Sequence, residues 1–273
     1  MSTKGVKVLF DYHLHSNFSA DCETPMEETI EQAISLGLKA ICFTEHIDYE
    51  YPDPTIHFEL DLQRYDEQIN EMKQRYQGQI QIKKGVEIGV QPHILHKYEA
   101  LMAQESFDFI ICSMHTTNKQ GLHSGDLFNN RTIEEAYELY YKELLQCIKN
   151  YKEYSVLGHL DLVKRYTNEK CTNDFHQLIR EIFEVIIPEG KGIEINTSGY
   201  RYGINSSMPS SDILKLYKLC GGEIITLGSD SHVASTVADH FKESLQFLDF
   251  LGFKYVATYT NKQPTFHKIQ SLL

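Results

Sequence analysis

Tryptophan is absent from this 273-residue chain, and arginine occurs only six times. No apolar stretch approaches the roughly 18 residues of a membrane-crossing helix, so no transmembrane span is expected. The opening residues, MSTKGVKVLFDYH, hold no signal-peptide h-region, and the expectation is a cytosolic protein. The six cysteines (Cys22, Cys42, Cys112, Cys147, Cys171 and Cys220) form no CxxC pair. Cys42 and Cys112 lie inside apolar runs, so buried free thiols are the natural reading. Positive charge is scarce too: 26 Lys and Arg face 38 Asp and Glu, a net charge of −12. The longest basic runs are the pairs Lys83-Lys84 and Lys164-Arg165. A phosphate-backbone partner needs a basic stripe, so no nucleic-acid partner is expected, whereas a small anionic substrate stays open if cations are supplied locally. Several catalytic signatures are also missing, namely CxxxxxR, DxDx[TV], GxxxxGK[ST], GxGxxG and GxSxG.

What remains is an ordinary globular balance of 41% apolar and 23% charged residues. A chain of this size should bury about 70–75% of its unfolded surface in its own core. Apolar, β-branched runs recur at residues 7–12, 39–44, 80–88, 107–113, 154–159, 192–196 and 223–228, with a weaker eighth at 253–259. Helix-period stretches lie between them. Thr24-Pro25 followed by Glu27 and Glu28 reads as a helix start with Thr24 as N-cap, and Gly37 as its stop. Thr132 and Glu135 form a capping box at the start of a long amphipathic helix to Asn150. Residues 173–188 and 210–221 follow the same pattern. Seven strands alternating with helices predict parallel βα units in an α/β fold, a closed TIM-like barrel in preference to two domains, with a doubly wound open sheet as the competitor. No linker interrupts the series, so residues 1–273 are expected to be one domain. Two polar segments, 46–60 and 115–130, are too long for simple strand-to-helix loops, a length usually tied to function or mobility.

Histidine is unusually frequent, at 13 copies. Read in order, the strand ends give His13, His15 and Asp21; His46; Glu87; His115; His159; and Asp230 with His232. In a barrel these ends converge on one face, where such folds place their sites. His-x-His and Asp-x-His on extended chain project both side chains to one side. One histidine at a strand end is ordinarily just a polar residue, but six in register with the strand period are not chance. Imidazole with carboxylate and no thiolate suits Zn, Mn or Fe rather than a cysteine-based structural zinc site. Nine donors exceed what one ion needs, so two or three divalent ions are implied. The other seven histidines carry no such signal, and of these only His123 falls in a candidate active-site loop.

HLHSNFSAD at 13–21, GSDSH at 228–232 and the endings between them resemble the PHP (polymerase and histidinol phosphatase) superfamily of metal-dependent phosphoesterases. In size, and in the segments EEAYELYYKEL and EINTSGYRYG, the chain is most similar to the stand-alone histidinol-phosphate phosphatases. The resemblance implies a distorted seven-stranded (β/α) barrel, TIM-like and of PHP type, and a trinuclear centre. His13, His15, Glu87 and Asp230 would hold one ion, Glu87 would bridge to a second on His115 and His159, and Asp21, His46 and His232 would hold a third. It also implies hydrolysis of L-histidinol phosphate in histidine biosynthesis by a hydroxide bridging two metals.

From the residues themselves, two close cations would lower the pKa of a shared water for in-line attack on phosphorus. Arg165 and Arg201 follow site strands and are expected to clamp the phosphate. Asp161, two residues after His159, and a metal-bound water are the candidate proton donors to the leaving group. The loop 47–63 carries Asp48, Glu50, Asp53, Glu59 and Asp61 without a Lys or Arg, and is expected to form an acidic rim for a cationic substrate end. The alternatives are a PHP phosphoesterase acting on a nucleotide, sugar phosphate or phosphotyrosine, and a metal-binding protein without catalysis.

Overall fold

The computed structural model describes residues 10–273. Strands and helices alternate strictly: β1 (Phe10–Leu14), α1 (Met26–Ser35), β2 (Ala40–Ile47), α2 (Leu62–Arg75), β3 (Gln81–Gly89), α3 (Leu95–Gln104) and β4 (Phe109–Ser113). A small hairpin, β5 (Thr116–Thr117) with β6 (Gln120–Gly121), precedes α4 (Ile133–Asn150). Then come β7 (Val156–Leu157), α5 (His176–Ile186), β8 (Gly192–Asn196), α6 (Ser211–Leu219), β9 (Ile225–Gly228) and α7 (Phe241–Phe250). The chain ends in β10 (Tyr255–Thr260) and β11 (Gln263–Lys268). The part of the first expected strand at residues 7–9 lies outside the described residues.

Seven strands form one sheet in the order β1-β2-β3-β4-β7-β8-β9, every pair parallel. They are almost wholly buried, as strands covered on both faces must be. Among the described residues the sheet closes on itself by backbone bonds at one end only. There Asp230 N donates to His13 O at 2.8 Å and His15 N to Ser231 O at 3.0 Å. The fold is therefore the expected α/β barrel, and its closing bonds are made by the residues of its first and last site motifs.

The weaker eighth run, at 253–259, does not join the seven-stranded sheet. Asn261 and Lys262 adopt left-handed backbone (φ 50° and 62°), which turns β10 directly back into antiparallel β11. This hairpin covers the barrel end remote from the histidines. Tyr12 donates to Tyr259 O, Phe10 packs on His267, and Asp108 takes the Asn261 N–H. Contrary to the sequence expectation, Thr24 does not cap α1. The capping position falls at Pro25, and the Thr24 hydroxyl instead donates to His232 O at 2.8 Å. The capping box at Thr132 and Glu135 forms as expected. All six cysteines are free, four of them buried and Cys171 and Cys220 partly exposed. No helix among the described residues is long and apolar enough to cross a membrane.

Tyr98 on α3 ties the ends of β2 and β3 together. Its hydroxyl lies 2.7 Å from Gly89 O and 3.1 Å from Ile47 O, and it accepts the Tyr49 N–H at 3.2 Å. The ring is fully buried, so Tyr98→Phe leaves buried backbone groups unpaired. The expected loss is about 1–3 kcal/mol of unfolding free energy, read from urea titration.

Candidate metal centre

All nine expected donors arrive at the closed end of the barrel. Glu87, at the end of β3, is the hub. Its Oε2 lies 3.0 Å from His13 Nε2, 3.5 Å from His15 Nε2 and 3.2 Å from His46 Nδ1. Its Oε1 lies 2.9 Å from His159 Nε2 and 3.3 Å from His115 Nε2. Asp230 Oδ1 completes the first group at 3.5 Å from His15 Nε2 and 3.7 Å from His13 Nε2. Asp21 Oδ2 stands 3.3 Å from His232 Nε2 and 3.7 Å from His46 Nε2, and the His15 ring stacks on both the His46 and the His232 rings. His46 therefore reaches toward Glu87 with one nitrogen and toward Asp21 with the other.

These spacings test whether the cluster fits metal. Donors about 2.0–2.2 Å from a tetrahedral ion stand roughly 3.3–3.6 Å apart, and most of the observed separations fall there or slightly to either side. Three sets of three donors mutually within 4.8 Å emerge: His13, His15 and Glu87; His46, Glu87 and His115; and His15, His46 and His232. His46 Nδ1 and His232 Nε2 are buried without a hydrogen-bond partner, as nitrogens awaiting a ligand would be.

The charge balance points the same way. Burial alone would raise the Glu87 and Asp230 pKa values, yet the surrounding imidazoles hold both well below the carboxylate range. Burial would lower His13 and His115, but Glu194, Glu87 and Asp230 around the one, and Asp48 and Glu87 around the other, push both well above normal. His15 is pulled down to about 3 by burial and by His232 and His46. Buried carboxylates here require cations, and divalent ions supply that charge while freeing the imidazoles to ligate.

Buried partners orient several of the expected donors, and sequence reasoning missed most of these partners. Glu194 on β8 sits 2.5 Å from His13 Nδ1 and accepts the His159 N–H at 3.0 Å. Asn196, two residues on, donates to both Glu194 and Asp230. Ser113 donates to Glu87 Oε1 at 2.5 Å. Glu45, raised to about 7 by burial, takes the hydroxyls of Ser16 and Ser19, and Ser19 Oγ lies 3.2 Å from His15 Nδ1. The one available signal was the strand period, because Glu194 and Asn196 alternate along GIEIN as His13 and His15 do along β1. Two close approaches demand glycine: a Cβ on Gly228 would overlap the Glu194 carboxylate, and one on Gly89 would overlap Asp48.

The acidic-rim expectation is overturned at two residues. Asp48 is 5% exposed, and its Oδ2 lies 2.6 Å from His115 Nδ1, so it orients a ligand. Glu50 is exposed but held by Lys97 at 2.8 Å and His93 at 3.0 Å. Asp161 is also misplaced by the sequence reading. It is buried and accepts from Lys164 at 2.6 Å and from Ser210 N at 3.0 Å, and it does not line the cavity over the histidines. It braces the turn after β7 against the start of α6.

That cavity measures about 490 Å³ and opens over Asp21, His46, Glu87, His115, His159, Asp230 and His232. Its walls include Tyr51, Phe58, His123, Arg165, Tyr166 and Tyr202. Arg165 lies with its guanidinium 3.2 Å from the Tyr202 ring centroid and 3.9 Å from Asp230 Oδ2. Arg201 stands behind Asp230 instead of in the cavity wall. Its Nη2 donates to Ser229 O and Asp230 O at 2.7 and 3.0 Å, while its buried Nη1 has no hydrogen-bond partner.

A (β/α) barrel with a histidine and carboxylate cluster at the C-terminal strand ends defines the class as a barrel metalloprotein with room for several ions. The PHP domain family matches residues 11–198, and the chain belongs to that family. It is 32% identical over 255 residues to histidinol-phosphatase of Lactococcus lactis, covering 92% of this chain and 94% of that one. It is 28% identical to a probable histidinol-phosphatase of Clostridium acetobutylicum, covering 91% of this chain and 96% of the relative. The crystal structure of the Lactococcus lactis histidinol phosphate phosphatase, complexed with zinc, L-histidinol and phosphate, superimposes with a TM-score of 0.86 at 31% identity, covering 94% of this chain and 98% of that one.

Glu194→Gln should weaken metal binding by about 10–100-fold, the usual cost of losing a carboxylate behind a ligating histidine. Metal content after dialysis against graded chelator measures it, and full retention of metal would show that His13 needs no such support.

Proposed function

We propose that this chain is a metal-dependent phosphomonoesterase that hydrolyses L-histidinol phosphate to L-histidinol and phosphate, a step of histidine biosynthesis. The observation that carries the reading is the convergence of nine donors in one cluster, seven of which line a single cavity together with Arg165. Similarity over nine-tenths of the chain to a phosphatase crystallised with L-histidinol and phosphate supplies the substrate. In this reading residues 1–273 act as one catalytic domain in the cytoplasm.

Three ions fit the donor sets. His13, His15, Glu87 and Asp230 would hold one, His115 and His159 with Glu87 a second, and Asp21, His46 and His232 a third. Zinc is favoured by the imidazole-rich set and by the zinc in the related crystal structure, with manganese and iron the other ions this chemistry accepts. Bound divalent ions supply Lewis-acid neutralisation of phosphoryl oxygens and a water acidified enough to be a nucleophile near neutral pH.

The chain's own residues supply the rest. Arg165 offers its fork to the phosphate from the wall, pre-aligned by its stack on Tyr202. Arg201 provides the second arm from the Asp230 side. A buried guanidinium nitrogen without a hydrogen bond is costly, and Nη1, 3.9 Å from Asp239 Oδ2, would be satisfied by donating to a phosphate oxygen. Asp48 and Glu194 keep the His115 and His13 rings from turning away as the ester enters.

The test is phosphate release by metal-loaded protein from L-histidinol phosphate, p-nitrophenyl phosphate, a nucleoside bisphosphate and a phosphotyrosine peptide. A preference of about 10³ or more in kcat/KM for histidinol phosphate, roughly 4 kcal/mol, is expected. Comparable slow rates on all four would remove the substrate assignment and leave a broad phosphoesterase. Arg165→Ala should lower turnover about 100-fold or more with metal content unchanged. Arg201→Ala should do the same, and metal loss in that variant would reduce Arg201 to a support for Asp230.

A further inference from the structure

A substrate with a cationic end needs a counterpart, and the carboxylates bordering the cavity are all engaged. Asp21, Glu87 and Asp230 face imidazoles of the cluster, and Asp48 holds His115. The loop acids Glu50, Asp53 and Glu59 do not line the cavity. Aromatic rings do. Arg165 already covers the face of Tyr202 and leans on Tyr166, 5.4 Å from its centroid. Two half-buried rings, Tyr51 and Phe58, have no such cover. They meet edge to face at 4.9 Å, and Phe58 lies 5.1 Å from the His46 ring. A row of rings thus runs outward from ligand His46 through Phe58 to Tyr51, on the loop that β2 feeds.

We infer that Tyr51 and Phe58 form the subsite for the organic half of the ester, reading a flat or cationic leaving group through ring faces instead of through a carboxylate. The inference rests on the phosphatase reading above and adds to it the element that selects the substrate. A cation within about 6 Å of a ring centroid is attracted by the ring quadrupole, most strongly where water is displaced. A flat ring gains stacking on the same surface. The cavity therefore has a charged half, where Arg165 and the cluster take the phosphate, and an aromatic half on the loop after β2. A monoester with a small, uncharged, non-planar leaving group uses only the charged half.

The experiment compares kcat and KM for L-histidinol phosphate and glycerol phosphate in the metal-loaded wild type and in Tyr51→Leu, Phe58→Leu and Tyr51→Phe, with metal content and melting temperature checked for each. The leucine variants should lose about 3- to 30-fold in kcat/KM on histidinol phosphate, mainly through KM, the range that a cation–ring contact spans. Their rates on glycerol phosphate should be unchanged, and Tyr51→Phe should stay within about twofold of wild type on both. Equal losses on both esters would make the rings mere loop supports and overturn the inference. So would an unaltered KM for histidinol phosphate. Wild-type protein with no preference between the esters would instead sink the substrate reading itself, a failure visible before any substitution is made.

Discussion

One buried carboxylate governs the architecture of this site. Glu87 has no solvent exposure, yet five imidazole rings stand within 3.5 Å of its two oxygens. Those rings come from β1, β2, the turn after β4 and the turn after β7, so a single side chain sets how four segments may approach one another. A lone ionised carboxylate in such a place would be prohibitively costly, and it is tolerable only inside a net of positive charge. Protons on His13 and His115 can furnish that charge, but each proton occupies a nitrogen that would otherwise ligate. Divalent ions resolve the conflict, since they neutralise the carboxylates and use the same nitrogens. The site's chemistry and its electrostatic tolerance are the same fact.

Closure of the barrel is bound to the same residues. The bonds that join the last strand to the first run from Asp230 N to His13 O and from His15 N to Ser231 O. Asp230 meanwhile sits at φ 54°, a left-handed conformation unusual for a residue with a side chain. Arg201 holds the carbonyls of Ser229 and Asp230 from behind, and Thr24 and Cys22 hold that of His232. Backbone strain at a ligand is thus confined by polar contacts from β1's loop and from the turn after β8. This explains why Thr24 abandons its expected capping role: the carbonyl of a ligand competes for its hydroxyl, and α1 starts adequately on Pro25.

The barrel and the clustering of the nine expected donors were legible because both are periodic along the chain. Apolar runs recur at regular intervals, and ligands stand at the same end of each run, so register and chemistry reinforce each other. What escaped was every contact whose partners are far apart in sequence and set by orientation. Asp48 looked like one more acid in a polar loop, but Asp48 N bonds to Phe58 O and folds that loop inward, delivering its carboxylate to His115 from 67 residues away. Glu194 and Asn196 obey the strand period as plainly as His13 and His15, yet without a neighbouring histidine nothing marked them. Asp161 erred in the opposite sense. Adjacency to His159 suggested the cavity, whereas Lys164, one helical turn on, draws the carboxylate away.

Rigid strands and adaptable loops divide the labour of this cavity. The ligands and their buried partners lie at strand ends, where a shift of one residue would break the ladder. Tyr51, Phe58 and His123 lie on the two long connections after β2 and β4, where insertions and substitutions cost little. The two loops nevertheless touch, since a Cβ on Gly121 would stand 3.4 Å from Pro52 and 3.7 Å from the Tyr51 hydroxyl. The aromatic wall is therefore positioned by loop-on-loop packing together with the end of β2, where Asp48 N bonds to Phe58 O. Phosphate recognition and the metal cluster can stay constant while the leaving-group wall changes, because no backbone hydrogen bond of the sheet depends on that wall. Under this division, the reaction type is encoded in the strand ends and the choice of substrate in the loops. That is the physical reason the motifs announced phosphoester chemistry well before any residue announced the alcohol it releases.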